Sequence, residues 1–424
     1  MAYQFSPVSW SLNTNMYEVN LRQYTREGTF KAFGKHLPRL KDMGIKTLWF
    51  MPVTPISIEK RQGSLGSYYA CSDYVDTNPE FGKISDFKQL VKHAHSAGFK
   101  VIIDWVANHT GWDHKWVKSN PEFYKKNPEG NFYDNNNWVD VIDLNYYDHA
   151  MRREMIKAMR FWVTECDIDG FRCDMAHLVP LDFWREARLS LDAVKPLFWL
   201  AETEHINYQE VFDCSYAWHW MHETEKFAKE QITVQDLRNI LKGYQQQTRP
   251  GSSHLFFTSN HDENSWNGTE YEKYGPAVKA FAILSITWNG IPLIYSGQEI
   301  PNMERLKFFD KDPIEWQQKN LLHEFYKTLL ELRQRNPALH WGDSNVVTNF
   351  IKTDKDHAVL GWHRQLNEKE VITILNLTSH AHDVIIEEEH ITGKYSDVFE
   401  KQIVDFAKGK LLKLAPWDAV VLEK

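Results

Sequence analysis

The sequence has few cysteines, no long hydrophobic run and no excess of basic residues. Its four cysteines lack the spacing of zinc ligands or of a disulfide framework: Cys71, Cys166, Cys173 and Cys214. No apolar run reaches the roughly 18 residues that a membrane-spanning helix needs, so we expect no membrane span. A net charge of −8 without a basic patch argues against a nucleic-acid partner. The sequence also lacks a glycine-rich phosphate loop.

The N-terminal sequence MAYQFSPVSWSL lacks the charged region and the following apolar region that mark a secretory signal peptide. We therefore expect the protein, as the sequence is written, to be cytoplasmic. A periplasmic or secreted location is the alternative if a signal peptide has been removed.

Short apolar runs alternate with longer segments of helical period along most of the chain. Most of the runs are almost continuously apolar, which is typical of parallel strands buried on both faces. Eight such strands, each followed by a helix, predict an α/β fold, a (β/α)8 TIM barrel. An open doubly wound sheet is less well supported, because no glycine-rich dinucleotide motif follows the first strand. The predicted strands are YEVNL (17–21), IKTLWF (45–50), FKVII (99–103), IDGFRC (168–173), LFWLA (197–201), VFDCSY (211–216), HLFFT (254–258) and IPLIY (291–295).

The spacing of apolar residues predicts helices over 28–43, 148–163 and 318–335. Gly44 follows the first of these where a helix typically ends. Pro38 lies within it, so we expect either a kink or a later helix start.

Two parts of the chain depart from the strand–helix alternation. The third and fourth strands are separated by a polar, aromatic and asparagine-rich segment that is too long for one βαβ unit. We predict a small inserted domain at 110–146, over the mouth of a barrel formed by 1–109 and 147–340. Residues 341–424 contain strand-like runs separated by turn residues, which predict a C-terminal antiparallel β-sandwich.

Charged and polar residues occur where the predicted strands end. The active sites of such barrels lie at the carboxyl ends of the strands. Several like charges around one cavity repel each other and are costly to bury, so their presence indicates catalysis or a metal site. The residues concerned are Asp104, Asn108, His109, Arg172, Asp174, Glu202, His261 and Asp262.

Asp174 and Glu202 are the pair best suited to glycoside hydrolysis. They follow consecutive strands, which lie about 4.8 Å apart, so their carboxyl groups can approach the roughly 5–5.5 Å of retaining glycosidases. Arg172 precedes Asp174 by two residues and points the same way, and its charge favours an ionised carboxylate. Glu202 follows the apolar run LFWLA, so burial should raise its pKa and suit it to be the general acid.

Six segments of this chain resemble a known enzyme family. In this order, DWVANH, GFRCD, LAETE and FTSNHD are similar to the four sequence regions of the α-amylase family (glycoside hydrolase family 13). GIPLIYSGQE at 290–299 resembles the family's strand-eight segment. SYYACSDY at 67–74 resembles the segment that supplies a stacking tyrosine. The resemblance spans essentially the whole chain.

The resemblance implies a role for each matching residue. Asp174 would be the nucleophile, Glu202 the general acid/base and Asp262 the third carboxylate, which grips the distorted sugar ring. The other matches would hold the sugar or the nucleophile: Tyr69 by stacking, His109 and His261 by binding hydroxyl groups, Arg172 by holding Asp174, and Asp104 by supporting that arrangement.

The chain also departs from the family pattern. Many members have Lys-His three and four residues after the nucleophile, and this chain has His177 and Leu178. His177 would lie either on the leaving-group side or in the loop without a sugar contact. VIDLN at 141–145 resembles the family's fifth region, in which Asp143 together with Asn108 would be the calcium ligands. We predict no required cofactor. The histidine expected at 178 is missing, so we assign no metal ligand, but backbone carbonyl groups can also bind calcium and a structural calcium ion stays an alternative.

The leading hypothesis is a retaining α-glucan hydrolase that cleaves starch, maltodextrins or related oligosaccharides by double displacement. A transglycosylase and an enzyme of α-glucosidase or neopullulanase specificity are alternatives with the same residues. A non-catalytic amylase-like binding protein is a distant alternative, because all three carboxylates are present. Among the tryptophans, we expect Trp49 in the core. The others singled out lie at the rim, where they either line outer sugar subsites or pack against the insertion: Trp218, Trp220 and Trp266.

Overall fold

The computed structural model describes residues 5–316 and 320–424, and eight parallel strands form a closed barrel at its centre. All eight predicted strands are confirmed. With strands numbered in chain order, the barrel order is β1-β10-β9-β8-β7-β6-β3-β2. The barrel strands are β1 (Met16–Val19), β2 (Thr47–Phe50), β3 (Lys100–Trp105), β6 (Gly170–Cys173), β7 (Phe198–Ala201), β8 (Cys214–Tyr216), β9 (Ser253–Phe256) and β10 (Ile291–Tyr295).

The strands are apolar throughout because both of their faces are buried. One set of side chains, including Trp49, Ile102 and Leu255, fills the inside of the barrel. The alternate set packs outward against the helices. Trp49 is therefore a core residue, as predicted. Gly170 on β6 is required by a close approach, because a Cβ atom there would lie 2.1 Å from the carbonyl oxygen of Phe198.

Twelve α-helices are found in the described parts of the chain. The predicted helix at 28–43 is two short helices, and Pro38 lies in the first turn of the second, where its missing N–H costs no hydrogen bond. The helices are α1 (Leu21–Tyr24), α2 (Phe30–Gly34), α3 (Leu37–Asp42), α4 (Ile84–Ala97), α5 (Lys115–Ser119), α6 (His149–Cys166), α7 (Leu181–Asp192), α8 (Trp218–Ala228), α9 (Val234–Gln247), α10 (Glu270–Tyr274), α11 (Val278–Thr287) and α12 (His323–Arg335). The helix predicted at 318–335 begins later, at His323, and residues 317–319 lie outside the described parts.

The segment between β3 and β6 leaves the barrel and returns to it through one small hairpin-like pair. β4 (His109–Gly111) pairs antiparallel with β5 (Val141–Asp143), so that His109 is opposite Asp143. The intervening residues contain α5 and a single 3-10 turn at Pro121–Phe123. Because the exit and the return are adjacent, the whole segment projects over the end of the barrel where the strands terminate.

The C-terminal part forms two antiparallel sheets that enclose a core of their own, as predicted. Side chains from both sheets, including Ile372 and Val384, contribute to this core. The six-stranded sheet has the order β11-β12-β13-β18-β15-β16, and β14 pairs with β17. The strands are β11 (Val347–Ile351), β12 (Val359–Leu366), β13 (Lys369–Asn376), β14 (His382–Ile385), β15 (Gly393–Asp397), β16 (Ile403–Phe406), β17 (Leu411–Leu414) and β18 (Ala419–Glu423). Within the described residues, no helix is both long and apolar enough to cross a membrane.

Candidate active site

The guanidinium of Arg172 is the centre of the polar cluster at the carboxyl ends of the strands. It is completely buried, and its Nη1 donates to Asp104 Oδ1 and to Asp174 Oδ1, both at 2.9 Å. Its Nη2 lies 2.9 Å from Glu202 Oε2, and its Nε donates to the hydroxyl of Tyr216 at 3.1 Å. One cation therefore gathers carboxylates from the ends of three neighbouring strands.

The register of the strands explains why these side chains meet. β6 and β7 pair with Cys173 opposite Ala201, so that the next residues, Asp174 and Glu202, emerge together at the rim. The backbone turns sharply after Asp174, since Met175 is in the left-handed region with φ 40°. The N–H of Met175 then donates to Glu202 Oε2 at 2.8 Å and fixes that carboxylate beside Asp174.

A cavity of about 280 Å³ opens directly above this cluster. Five of the predicted site residues line it: Tyr69, His109, Asp174, Glu202 and Asp262. Asp104, Arg172 and His261 lie behind this lining and contact its members. The catalytic candidates thus form one continuous polar network beneath a single opening.

Burial sets the protonation of the two central acids. Desolvation raises the pKa of Glu202 to about 8, although the Arg172 guanidinium opposes the rise. The same cause raises the pKa of Asp174 to about 6, again against Arg172. The expectation that Arg172 favours the ionised form of Asp174 is confirmed in direction, because its guanidinium lowers the pKa of Asp174, but burial has the larger effect. Arg172 is shared with Asp104, whose pKa burial also raises to about 6.

Asp262 differs from the other two acids because it has its own cation. Burial favours its neutral form, but the ring of His261, with Nε2 3.3 Å from Asp262 Oδ2, and the Arg172 guanidinium together outweigh burial and lower the pKa of Asp262. The same Nε2 lies 2.7 Å from the hydroxyl of Tyr69, and the two rings are stacked. Of the three acids that line the cavity, Asp174 and Glu202 have raised pKa values and Asp262 has a lowered one.

The two remaining histidines have different surroundings. His109 lines the cavity, with its ring against the edge of Trp138, and burial lowers its pKa. His177 lies outside this cavity and stacks on His205 instead, with ring centroids 5.3 Å apart. The placement of His177 relative to a bound sugar stays a prediction.

Several cavity residues were not found from the sequence. Trp138 and Asp140 come from the inserted segment, and Phe308 and Phe309 come from the loop after β10. Phe308 lies parallel to the Tyr69 ring, with centroids 6.2 Å apart. Neither segment carries a local sequence motif. The adjacent pair Phe308 and Phe309, in a loop that follows a barrel strand, is the one sequence feature that could have indicated a sugar-binding position.

The rim tryptophans separate into two groups. Trp266 lines the cavity, and 52% of its surface is exposed. This position agrees with the first predicted alternative, a place beside an outer sugar subsite. Trp220 is buried against Phe256, and Trp218 stacks on His222, so both pack within the rim.

The residues that the family resemblance assigns to calcium do not fit that ion. Asp143 is buried, and its Oδ2 accepts from Lys125 Nζ at 2.9 Å and from Asn135 Nδ2 at 2.6 Å. Its Oδ1 accepts from the side-chain amide of Asn108 at 3.3 Å. Calcium requires six to eight oxygen ligands, whereas nitrogen donors, one of them a cation, contact both oxygens of this carboxylate, and the carboxyl group of Asp134 is its acidic neighbour.

The barrel, the inserted segment after its third strand and the acids at its rim define a class of enzyme, the glycoside hydrolases that act through a pair of carboxylic acids. The family model described as "Alpha amylase, catalytic domain" matches residues 11–141 and 126–315. The chain belongs to the α-amylase family.

Relatives of known name agree with this assignment over nearly the full chain. Alpha-amylase 3 of Dictyoglomus thermophilum is 25% identical, and the match covers 98% of this chain and 94% of that protein. The structure is similar to that of a noncanonic maltogenic alpha-amylase, AmyB, from Thermotoga neapolitana, with a TM-score of 0.89, 29% identity and coverage of 98% and 99%. It is also similar to an alpha-amylase from Lactobacillus plantarum, with a TM-score of 0.87, 26% identity and coverage of 98% and 100%.

Proposed function

We propose that this protein is a retaining hydrolase of α-glucans in which Asp174 is the nucleophile and Glu202 the general acid/base. The observation that carries this proposal is the position of the two carboxylates. Each lies 2.9 Å from a terminal nitrogen of the same guanidinium, Arg172, and both line the cavity. Neighbouring carboxylates of this kind are the requirement of the double-displacement reaction.

In the first step, Asp174 attacks the anomeric carbon and its oxygen forms a bond to that carbon, while the glycosidic C–O bond breaks. Glu202 gives its proton to the departing oxygen. The raised pKa of Glu202, about 8, keeps it protonated at neutral pH, as this step requires. Asp174 reacts as the carboxylate, which is the major form above its pKa of about 6.

In the second step, Glu202 is the base. It removes a proton from a water molecule, whose oxygen bonds to the anomeric carbon as the bond to Asp174 breaks. The two inversions restore the original anomeric configuration.

The other residues of the cluster hold the sugar and stabilise positive charge on its ring. Asp262 is an anion facing the cavity, and it stabilises the oxocarbenium-like transition state. His109 binds a sugar hydroxyl group, and Tyr69 stacks on the ring. Arg172 and Asp104 position Asp174 without touching the sugar.

We infer that maltooligosaccharides are the substrates. The relative with the higher identity among the two structures is named a maltogenic alpha-amylase, and the cavity here offers aromatic rings on several sides. Trp138, Trp266 and Phe308 can each cover the apolar face of a glucose unit.

We further infer that no metal ion is needed. The ammonium of Lys125 neutralises Asp143 in the place where a divalent cation would otherwise join the inserted segment to the barrel. This contact is partly shielded, since the Lys125 side chain is only 31% exposed.

Product analysis tests the proposed function directly. The purified protein is incubated with starch, pullulan, maltose and maltooligosaccharides, and early products are separated by chromatography while NMR records their anomeric configuration. Release of α-configured products supports the proposal, and β-configured products contradict it. Longer products that appear only with an added sugar acceptor would indicate a transglycosylase, and binding without any product would indicate a binding protein.

A further inference from the structure

Glu18 is a buried acid inside the barrel that the reaction described above does not use. It lies on β1, its side chain is completely buried, and its Oε1 lies 2.5 Å from Nδ1 of His261. Its second oxygen, Oε2, has no hydrogen-bond partner within the described parts of the chain. A buried carboxylate with one partner is costly, so its single contact with His261 requires a reason.

The contact with Glu18 fixes the orientation of the His261 ring relative to the cavity. Oε1 of Glu18 lies at Nδ1, where a carboxylate oxygen accepts a hydrogen bond from a protonated ring nitrogen. The other ring nitrogen, Nε2, faces the cavity side of the cluster. The charged and titratable groups around this ring come from several elements: Glu18 on β1, Tyr69 after β2, Asp104 on β3, Arg172 on β6 and the adjacent Asp262.

His261 therefore has an acid at each ring nitrogen. Oε1 of Glu18 lies 2.5 Å from Nδ1, and Oδ2 of Asp262 lies 3.3 Å from Nε2. Burial favours neutral imidazole, but Asp262 and Glu18 outweigh it and raise the pKa of His261 well above its ordinary value. Of the two acids, Asp262 faces the cavity and Glu18 does not.

We propose that Glu18 is a positioning residue of the active site, which holds His261 as an imidazolium so that Asp262 stays ionised at the cavity. This inference rests on the proposed glycosidase function. Glu18 touches no substrate, and it acts only through His261. Glu18 and His261 are far apart in the sequence. They lie close together in the fold because β1, which carries Glu18, and β9, which precedes His261, both border β10 in the closed barrel.

The variant Glu18→Gln tests the proposal, since it keeps the shape of the side chain and removes its charge. Loss of one neighbouring charge should lower the pKa of His261 by about 1–3 units. NMR of protein with ¹⁵N-labelled histidine, with His261 assigned through a His261→Asn variant, should show a doubly protonated ring at pH 7 in the wild type. In Glu18→Gln, the same ring should lose its proton at lower pH.

Glu299→Gln is the matched control. Glu299 is also a fully buried glutamate, and it contacts Tyr17, the neighbour of Glu18, but it does not contact His261. This variant should leave the His261 titration unchanged. Glu18→Asp, which keeps the charge, should titrate close to the wild type at His261.

A neutral His261 in the wild type at pH 7 would overturn the inference, and so would a titration that Glu18→Gln leaves unchanged. If Glu18→Gln does not fold, the wild-type spectrum and Glu18→Asp still decide the matter. The NMR measurement needs no activity, so a protein that cleaves no glucan would refute the proposed function while leaving the Glu18–His261 pair to be judged by its own titration.

Discussion

Asp174 and Glu202 contact opposite terminal nitrogens of one guanidinium, that of Arg172, at 2.9 Å each. The two acids leave adjacent strands, and a single cation lies between them. Their protonation states are therefore linked, and burial gives them different pKa values, about 6 for Asp174 and about 8 for Glu202. This difference separates a nucleophile from a proton donor at neutral pH.

Removing either carboxyl group should abolish most of the activity. We expect Glu202→Gln to lower kcat by about 10²–10⁴-fold on maltooligosaccharides, because proton transfer to the leaving oxygen is lost. Asp174→Asn should lose at least as much, because no covalent intermediate forms. Initial rates measured by reducing-sugar release provide the comparison.

Glu204→Gln is the control for this pair, since Glu204 lies two residues beyond Glu202 and contacts Tyr244 and the backbone of His219 instead of Arg172. It should retain activity near that of the wild type. A substrate with an acidic phenol as leaving group should recover its first step in Glu202→Gln but not in Asp174→Asn. Equal recovery in both variants would contradict the assigned roles.

The pH dependence of kcat/KM should be bell-shaped. As the pH falls through about 6, Asp174 gains a proton and can no longer attack, so the rate decreases. As the pH rises through about 8, Glu202 loses the proton that it must donate, so the rate decreases again. The acid limb reports on the pair formed by Asp174 and Asp104, which share Arg172. A rate that stays constant from pH 4 to pH 7 would contradict this arrangement.

Chelation should leave the protein unchanged, whereas loss of the Lys125 charge should destabilise it. We expect the thermal midpoint of the wild type to be the same with EDTA and with added calcium. Lys125→Met leaves Asp143 buried without its cation, which should cost about 3 kcal/mol of unfolding free energy. Differential scanning calorimetry at a fixed scan rate measures both effects.

Lys126→Met is the control for Lys125→Met, because the ammonium of Lys126 lies over the Phe132 ring and not at Asp143. It should change the midpoint far less. A wild-type midpoint that falls with EDTA and returns with calcium would contradict the inference that no metal ion is needed.

The loop after β10 should contribute to substrate binding through Phe308. This ring lies parallel to Tyr69 and lines the cavity, so Phe308→Ala should raise KM about 2- to 10-fold with little change in kcat. Trp218→Ala is the comparison, since Trp218 is a rim aromatic outside the cavity that stacks on His222. A KM that responds equally to both changes would mean that Phe308 has no specific sugar contact.

The barrel and most of its acids could be predicted from the sequence because both depend on local patterns. Strands buried on two faces must be apolar throughout, which made all eight visible. Side chains alternate along a strand, so Arg172 and Asp174 had to point the same way, and the strand order brought Glu202 beside them. Burial of Glu202 after an apolar run also followed from the sequence, and its raised pKa agrees.

The balance of forces on Asp174 was not predictable in this way. The sequence shows the favourable cation two residues away but not how completely the site is shielded from water. In the folded protein, desolvation outweighs Arg172, which is also shared with Asp104. Such net effects depend on every group around the site at once.

Hydrophobic periodicity and residue type act over a few residues. From them alone we could predict the fold, the order of the strands along the chain and the acids at their ends. Three contacts became visible only in the folded chain: Lys125 with Asp143, Phe308 with Tyr69, and Glu18 with His261. These contacts join segments that are remote in the chain or lie in irregular loops. Closure of the barrel and the paths of the loops bring them together, and no local pattern encodes either.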